Sequence, residues 1–143
     1  MNRVGLGFDA HPFEDGRPLA LGGLLWDSER GLAGHSDGDV LLHAMCDALL
    51  GAAGLGSLGE LFSDRDPENR GRDSAGMLAA VAGRLRDAGW SIVNVDATLV
   101  GETPRISPRR LEMQGRVGLI LGLPPERVSV KGTSCKSRTA PQR

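Results

Sequence analysis

Glycine is the residue that most constrains how this chain can fold. It accounts for 21 of the 143 residues, about twice the usual share of about 7%. Because glycine adopts positive φ and lets backbones approach closely, we expect short elements joined by tight turns. No repeat of about 20 to 50 residues is visible, which argues against a solenoid. A chain of this length fits one domain, so we expect a single domain over residues 1–143.

Segments with strand and helix patterns alternate along the chain. Strands are predicted at 4–8, at 17–26 as a hairpin that turns at Gly22-Gly23, at 90–100 and at 127–131. Helices are predicted to begin at Asp39, at Asp73 or Ser74, and at Ser107-Pro108, and to end at Gly51 or Gly54, at Gly89 and at Gly122. This order predicts a two-layer sandwich of the α/β or α+β class, and we adopt α+β: a small mixed β-sheet with helices on one face. A sheet this small favours burial of its edges by oligomerisation.

Composition argues against several classes of function. Aromatic residues make up only 3% and Tyr is absent, which argues against stacking on single-stranded nucleic acid. Cys46 and Cys135 form no CxxC pair, no apolar run approaches the roughly 20 residues of a membrane span, and the N-terminus shows no signal core. We therefore expect a cytoplasmic protein with no membrane or nucleic-acid partner. Residues 1–100 are acidic and residues 101–143 basic, which suits a metal and phosphate site or, more ordinarily, a solvated surface.

The three histidines, His11, His35 and His43, lie in the first third of the chain, each near an aspartate. Asp9 and His11 are two residues apart at the end of a predicted strand, so their side chains should share one face. His43 lies one turn into the first predicted helix. One aspartate and two histidines form a suitable ligand set for Zn²⁺, with a fourth position open for substrate. Surface or helix-capping roles for the same residues are about as well supported by the sequence.

Two polar segments offer further chemistry. The block HSDGD, residues 35–39, leads into the first predicted helix, and either of its aspartates could cap that helix. The segment KGTS, residues 131–134, follows a predicted strand and offers an ammonium, two hydroxyls and a flexible backbone that suit a phosphate, without the spacing of a P-loop. Cys46 falls on the apolar stripe of the first helix, which indicates a core position.

The sequence also resembles a known enzyme family. The segments GFDAH, AGHSDGDVLLHAMCDALLGAAGLG, LFSDRDP, DATLVGETPRISP and VSVKGTS together resemble the 2-C-methyl-D-erythritol 2,4-cyclodiphosphate synthases of the non-mevalonate isoprenoid pathway. The resemblance runs from residue 3 to about residue 134. Its most specific part is the H-S-D-G-D-x-x-x-H block placed after D-x-H.

The resemblance implies a phosphorus-oxygen lyase. Such an enzyme converts 4-diphosphocytidyl-2-C-methyl-D-erythritol 2-phosphate, a nucleotide diphosphate, into 2-C-methyl-D-erythritol 2,4-cyclodiphosphate and releases CMP. It also implies a homotrimer with each active site between neighbouring subunits. Ring closure of this kind is intramolecular, so the enzyme mainly has to fold the substrate and stabilise charge on phosphoryl oxygens.

The resemblance implies the site residues as well. Asp9, His11 and His43 would ligate one Zn²⁺ per subunit, and Asp9 and His11 would also contact the substrate. His35 and Ser134 would stabilise the transition state. The other implied substrate contacts are Ser36 and Thr133 on phosphates, Phe62, Asp64 and Asp66 over the erythritol, Ser57 at the ribose position with Leu58 and Gly59 beside it, and Gly101, Arg105 and Ser107 around cytosine.

Three positions depart from the family pattern. Ser57 and Ser63 stand where the family has Asp and Pro, and Lys136 stands where it has a Glu that helps to hold a second divalent cation, Mg²⁺ or Mn²⁺. The family's next segment and final strand are not recognisable, so residues 131–143 are expected to form an atypical, truncated and flexible tail. The alternative function is therefore a metal- and nucleotide-binding trimer with impaired turnover. A metal phosphodiesterase ranks last, because no second metal cluster is visible.

Overall fold

Helices and strands alternate in the computed structural model, which describes residues 1–134. The strands within these residues are β1 (Phe13–Asp15), β2 (Leu19–Leu21), β3 (Leu24–Trp26), β4 (Arg30–Leu32), β5 (Val95–Val100) and β6 (Val128–Thr133). The helices are α1 (Val40–Ala53), α2 (Leu58–Leu61), α3 (Ser74–Asp87) and α4 (Arg110–Leu121). Short 3₁₀ turns lie at Pro67–Asn69, Ser107–Arg109 and Pro125–Arg127. The mixed content confirms the α+β class, although the sequence did not predict β1, β4 or α2.

Within residues 1–134 the strands form three separate pairs, so the prediction of one mixed sheet is wrong. Strands β1 and β4 pair antiparallel, as do β2 and β3, whereas β5 and β6 pair in parallel with Val95 opposite Val128. The segment predicted to extend the sheet, residues 4–8, forms no strand.

The N-terminal segment packs on a helix instead. A Cβ added to Gly5 or Gly7 would lie 1.8 Å from the carbonyl oxygen of Ala48 or Ala44, both on α1. The backbone at these two glycines therefore lies directly against the helix, which only glycine permits. The apolar residues between and beside them, which created the strand pattern, are exposed: Val4, Leu6 and Phe8.

The hairpin prediction is confirmed, and its turn is tied to α1. Gly22 and Gly23 connect β2 and β3 with φ angles of 64° and 78°. Both glycine N–H groups donate to the Asp39 carboxylate, at 2.9 and 2.8 Å, and the Leu42 N–H donates to it at 3.1 Å. Asp39 is 1% exposed, and this burial raises the pKa of its carboxyl despite the three donors. One side chain thus caps α1 and holds the hairpin turn against it.

Most predicted helix ends are confirmed. Asp39 precedes α1, and Asp73 caps α3 by accepting a hydrogen bond from the Ala75 N–H at 3.0 Å. Glycines with positive φ follow three helices: Gly54 (69°), Gly89 (83°) and Gly122 (71°). The capping role predicted for Ser107 is wrong, because α4 begins only at Arg110 after a 3₁₀ turn. Ser107 itself lies inside that 3₁₀ turn, and the residue before it, Ile106, already has a helical backbone (φ −72°, ψ −37°). A capping residue instead precedes the first turn and has a non-helical backbone.

Strands β5 and β6 differ in extent from their predictions. Strand β5 begins at Val95 rather than at residue 90, because the Trp90 N–H donates to the Leu85 carbonyl and closes the end of α3. Strand β6 continues to Thr133, so the tail predicted to begin at residue 131 is wrong for its first three residues. The rest of the predicted tail from residue 135 on, including Lys136, lies outside the described residues.

Helices α1, α3 and α4 bury a core against β5 and β6. Its most buried side chains include Leu42, Leu50, Leu78, Met113 and Val128. Cys46 on α1 is fully buried in this core, as predicted, and burial raises the pKa of its thiol to about 12. None of the helices formed by residues 1–134 is long and apolar enough to span a membrane.

Candidate metal centre and active site

Three side chains from two parts of the chain meet beside the start of α1. Asp9 and His11 come from the N-terminal segment, and His43 comes from α1. Asp9 Oδ2 lies 2.8 Å from His11 Nε2 and 3.1 Å from His43 Nδ1, and the three possible ligand atoms lie within 4.8 Å of one another. Tetrahedral zinc with bonds of about 2.0 Å places its ligand atoms about 3.3 Å apart. The Asp-His-His cluster therefore has the spacing of metal ligands, although no strand ends at Asp9.

His11 is oriented by a backbone carbonyl. Its Nδ1 is hydrogen-bonded to the carbonyl oxygen of Ala33. Since a carbonyl oxygen only accepts, Nδ1 carries a proton, and Nε2 is the ring nitrogen that faces Asp9. A carbonyl partner on the second ring nitrogen is typical of histidines that ligate metals.

His43 is held from the opposite side by two buried serines. Its Nε2 lies 2.8 Å from Ser74 Oγ and 3.1 Å from Ser36 Oγ. The Ser74 hydroxyl is also hydrogen-bonded to the Asp37 carboxylate, which accepts the Ser74 N–H at 3.0 Å as well. Asp37, predicted as a possible cap of α1, instead accepts the Ser74 N–H at the start of α3, beside the Asp73 cap, and the first turns of the two helices meet at His43.

The electrostatics of the cluster favour a bound cation. Burial opposes ionisation of Asp9, but hydrogen bonds and charge from His43 and His11 outweigh it, so the pKa of the Asp9 carboxyl is lowered. An ionised carboxylate beside two imidazole nitrogens is the form that ligates a metal. One oxygen and two nitrogens suit Zn²⁺ better than Mg²⁺, which prefers oxygen ligands. The residues present fit a transition-metal ion.

His35 is exposed at the edge of a polar hollow beside the cluster. The hollow is lined by Glu14, Arg17, Gly34, His35, Ser36, Arg70 and Gly71. Arg17 donates to the carbonyl of Gly34 at 2.8 Å and to that of Ser36, and the Gly71 N–H donates to the carbonyl of His35. These bonds fix the loop that carries His35. Arg70 and Arg17, the latter paired with Glu14 at 3.3 Å, give the hollow a net positive charge that suits an anionic ligand such as a phosphate.

The segment of residues 57–66 is attached to α1 at Leu58. The Leu58 N–H donates to Asp47 Oδ1 at 2.8 Å, and Asp47 lies one helical turn after His43 on the same face of α1. Two of the other implied contacts are caps: Ser57 caps α2 and Asp66 caps a 3₁₀ turn. The ring centroid of Phe62 lies 4.5 Å from the Arg72 guanidinium. Gly59 and Asp64 are exposed.

The remaining implied residues lie at the carboxyl ends of β5 and β6. The Gly101 N–H donates to the Thr133 carbonyl at 2.9 Å, which places the loop with the exposed Arg105 and Ser107 next to Thr133 and Ser134. In the described part of the chain, no hydrogen bond joins these residues to the Asp-His-His cluster. One chain therefore carries the implied site residues in two groups.

Lys131, considered above as a phosphate contact, pairs with a carboxylate of the neighbouring strand. Its ammonium forms an ion pair with Asp96 on β5, and this hydrogen bond lowers the pKa of the Asp96 carboxyl.

Sequence reasoning missed Ser74 and Arg17 as parts of the site. Ser74 is 31 residues from His43, and its only sequence signal, the pair Asp73-Ser74, predicts a helix cap. Arg17 is 17 and 19 residues from the carbonyls that it holds. Both roles depend on tertiary contacts that no local spacing reveals.

The fold and the Asp-His-His cluster together define an α+β protein with a candidate transition-metal site. The chain belongs to the YgbB family, whose model matches residues 2–140. The match extends past residue 134, where the resemblance noted in the sequence weakens.

Relatives and solved structures agree with this family. A protein of Gemmatimonas aurantiaca named 2-C-methyl-D-erythritol 2,4-cyclodiphosphate synthase is 51% identical over 130 residues, which cover 91% of this chain and 78% of the relative. A solved structure with the same name is 38% identical, with a TM-score of 0.89, and covers 95% of this chain and 91% of its own. A second, described as the CDP-bound form, is 36% identical with a TM-score of 0.88 and the same coverage. These likenesses support the synthase interpretation and give no support to the alternative of impaired turnover.

Proposed function

We infer that this chain catalyses the reaction of its relatives. In it, an oxygen of the substrate's 2-phosphate forms a bond to the β-phosphorus, the bond from that phosphorus to the oxygen of the α-phosphate breaks, and CMP leaves with its phosphate. The product is 2-C-methyl-D-erythritol 2,4-cyclodiphosphate. The observation that carries the proposal is the Asp-His-His cluster at metal-ligand spacing in a chain of this family.

Asp9, His11 and His43 are the residues that would hold one Zn²⁺ per subunit. A bound zinc ion polarises a phosphoryl oxygen and offsets negative charge on it. The protein's own contribution is orientation, because Ala33 and Ser74 fix the two imidazole rings before substrate arrives.

The hollow beside the cluster supports phosphate binding by His35 and Ser36. His35 is exposed there, and the guanidinium groups of Arg17, which is held by two backbone carbonyls, and of Arg70 add positive charge. His35 is assigned to stabilise charge in the transition state, as is Ser134 at the end of β6. A reaction that builds charge on phosphoryl oxygens needs such donors more than a nucleophilic side chain.

The other substrate contacts are assigned by matched position. Ser57, Leu58 and Gly59 would bind near the ribose, Phe62, Asp64 and Asp66 would cover the erythritol, Gly101, Arg105 and Ser107 would surround cytosine, and Thr133 would contact the diphosphate. The hydrogen bond from the Leu58 N–H to Asp47, one helical turn after His43, supports a position of this segment near the cluster.

We propose a homotrimer with sites between subunits. The two groups of site residues on one chain, together with the exposed apolar strip of Val4, Leu6 and Phe8, support assembly. Light scattering should give three times the chain mass. A monomer with intact activity would contradict this assembly. A cytoplasmic location is also proposed, supported by the free, buried Cys46.

The experiment that tests the function follows the reaction by ³¹P NMR with zinc-loaded protein and the diphosphocytidyl substrate. The expected result is a cyclic diphosphate with an equal amount of CMP, from protein that holds about one zinc per chain. His43→Ala should lose both zinc and product. Leu119→Ala, an exposed position on α4, is the matched control and should retain both. A linear phosphate product, or product formation without zinc, would contradict the proposal.

A further inference from the structure

The His43 ring is enclosed by protein on the side that faces away from Asp9. Its Nε2 meets the hydroxyls of Ser74 at 2.8 Å and Ser36 at 3.1 Å, and these serines are 0% and 7% exposed. The Ser74 hydroxyl continues to Asp37, so a chain of hydrogen bonds runs from the carboxylate to the imidazole. This chain lies on the opposite side of the ring from Nδ1, the nitrogen near Asp9.

The number of protons in this chain of hydrogen bonds determines its direction. A serine hydroxyl has one proton and two lone pairs, whereas an ionised carboxylate only accepts. The Ser74 proton therefore lies toward Asp37, and Ser74 Oγ presents a lone pair to His43. The bond of 2.8 Å is complete only when Nε2 carries the ring proton.

We propose that Ser74, held by Asp37, is a positioning residue that places the proton of His43 on Nε2 and leaves Nδ1 as its metal-binding nitrogen. The proposal rests on the proposed metal site. It implies that the two histidines use opposite nitrogens, because the Ala33 carbonyl places the proton of His11 on Nδ1 and leaves Nε2 for the metal.

Ser36 does not restrict which nitrogen of His43 carries the proton. Its Oγ accepts the Gly38 N–H at 3.3 Å and lies farther from the imidazole than Ser74 Oγ does. Within residues 1–134 its hydroxyl has no carboxylate partner, so its proton can turn toward or away from Nε2. Ser36 therefore tolerates both tautomers of His43, whereas the Asp37-Ser74 pair selects one.

The first measurement is zinc affinity by competition with a chromophoric chelator. Ser74→Ala should bind zinc about 10- to 100-fold more weakly, the usual effect of removing a partner behind a metal ligand. Asp37→Asn should also weaken binding, because its amide can donate to Ser74 Oγ and turn the hydroxyl proton toward Nε2. Ser74→Thr keeps the hydroxyl and should recover most of the affinity.

The matched control is Asp73→Ala. Asp73 caps the same helix by a bond to the Ala75 N–H at 3.0 Å, is exposed, and does not contact His43. If Ser74 acted only by stabilising the start of α3, Asp73→Ala should weaken zinc binding to the same extent. We expect its zinc affinity to stay within about twofold of the unaltered protein.

The second measurement is long-range ¹H–¹⁵N NMR of zinc-loaded protein, because without zinc the Asp9 carboxylate can itself accept from His11 Nε2 and His43 Nδ1. The unaltered protein should show a proton on His43 Nε2 and on His11 Nδ1. Ser74→Ala should move the His43 Nε2–H signal upfield, because its hydrogen bond is lost, and leave the His11 signal unchanged. A folded Ser74→Ala protein with an unchanged His43 signal and unchanged zinc affinity would overturn the proposal. Failure of the unaltered protein to bind zinc would instead overturn the metal site on which the proposal rests.

Discussion

Asp39 should contribute more to stability than a helix cap alone. Its carboxylate accepts N–H groups from Leu42 at 3.1 Å, Gly22 at 2.9 Å and Gly23 at 2.8 Å. Because Asp39 is only 1% exposed, Asp39→Ala leaves these donors where water does not readily replace the carboxylate. Each unsatisfied buried donor costs about 1–3 kcal/mol. The two buried donors, Gly22 and Leu42, with a smaller cost for the half-buried Gly23 N–H, predict that the free energy of unfolding falls by at least about 2 kcal/mol.

Asp73→Ala is the control for this prediction, because Asp73 caps α3 with a single hydrogen bond and is exposed. Its loss should cost about 1 kcal/mol. Asp39→Asn keeps one carbonyl oxygen and removes a charge that is costly to bury, so it should lose less stability than Asp39→Ala. Urea unfolding at one fixed chain concentration, followed by circular dichroism, measures all three variants. Equal losses for Asp39→Ala and Asp73→Ala would refute the idea that the hairpin turn depends on Asp39.

Three further predictions concern the N-terminal segment, the core and the tail. Gly7→Ala places a Cβ 1.8 Å from the Ala44 carbonyl oxygen, so chelator competition should show weaker zinc binding than in Gly51→Ala, whose added Cβ meets no atom within 4 Å. Cys46 should resist iodoacetamide at pH 8 until urea unfolds the chain, because it is buried and its thiol pKa is about 12; peptide mass mapping of native protein with modified Cys46 would contradict this. Added Mg²⁺ should change CMP release little, since a protonated lysine at 136 has no lone pair for a cation, whereas Lys136→Glu should restore a response.

Local spacing accounts for the parts of the fold that the sequence could predict. The Gly22-Gly23 turn and the Asp39 cap depend on residues within a few positions of each other, and both are confirmed. The segment of residues 4–8 has the alternating pattern of a strand, yet its glycines pack on α1 about 40 residues away. Such a contact overrides β-propensity, which mainly describes how side chains fit a pleated surface.

The candidate site likewise combines residues that the sequence predicts with residues that only tertiary contacts reveal. Asp9, His11 and His43 could be grouped from the sequence because all three histidines of the chain lie in its first third, each near an aspartate. Ser74 could not, because serine at the start of a helix usually has a capping role. The orientation of His43 therefore depends on a residue whose own sequence context points to a different function.

The first turn of α1 links the stability of that helix to the geometry of the candidate metal centre. The His43 N–H donates to the Asp39 carbonyl at 3.0 Å, while the Asp39 side chain fixes the start of the same helix to the hairpin. Ser74 then fixes the far side of the His43 ring to α3. His43 Nδ1 is thus located by two independent attachments, one through the backbone of α1 and one through the imidazole. Loss of the first should shift the whole side chain and weaken zinc binding while Ser74 still accepts from Nε2, whereas loss of the second should remove the hydrogen bond at Nε2 while α1 remains in place.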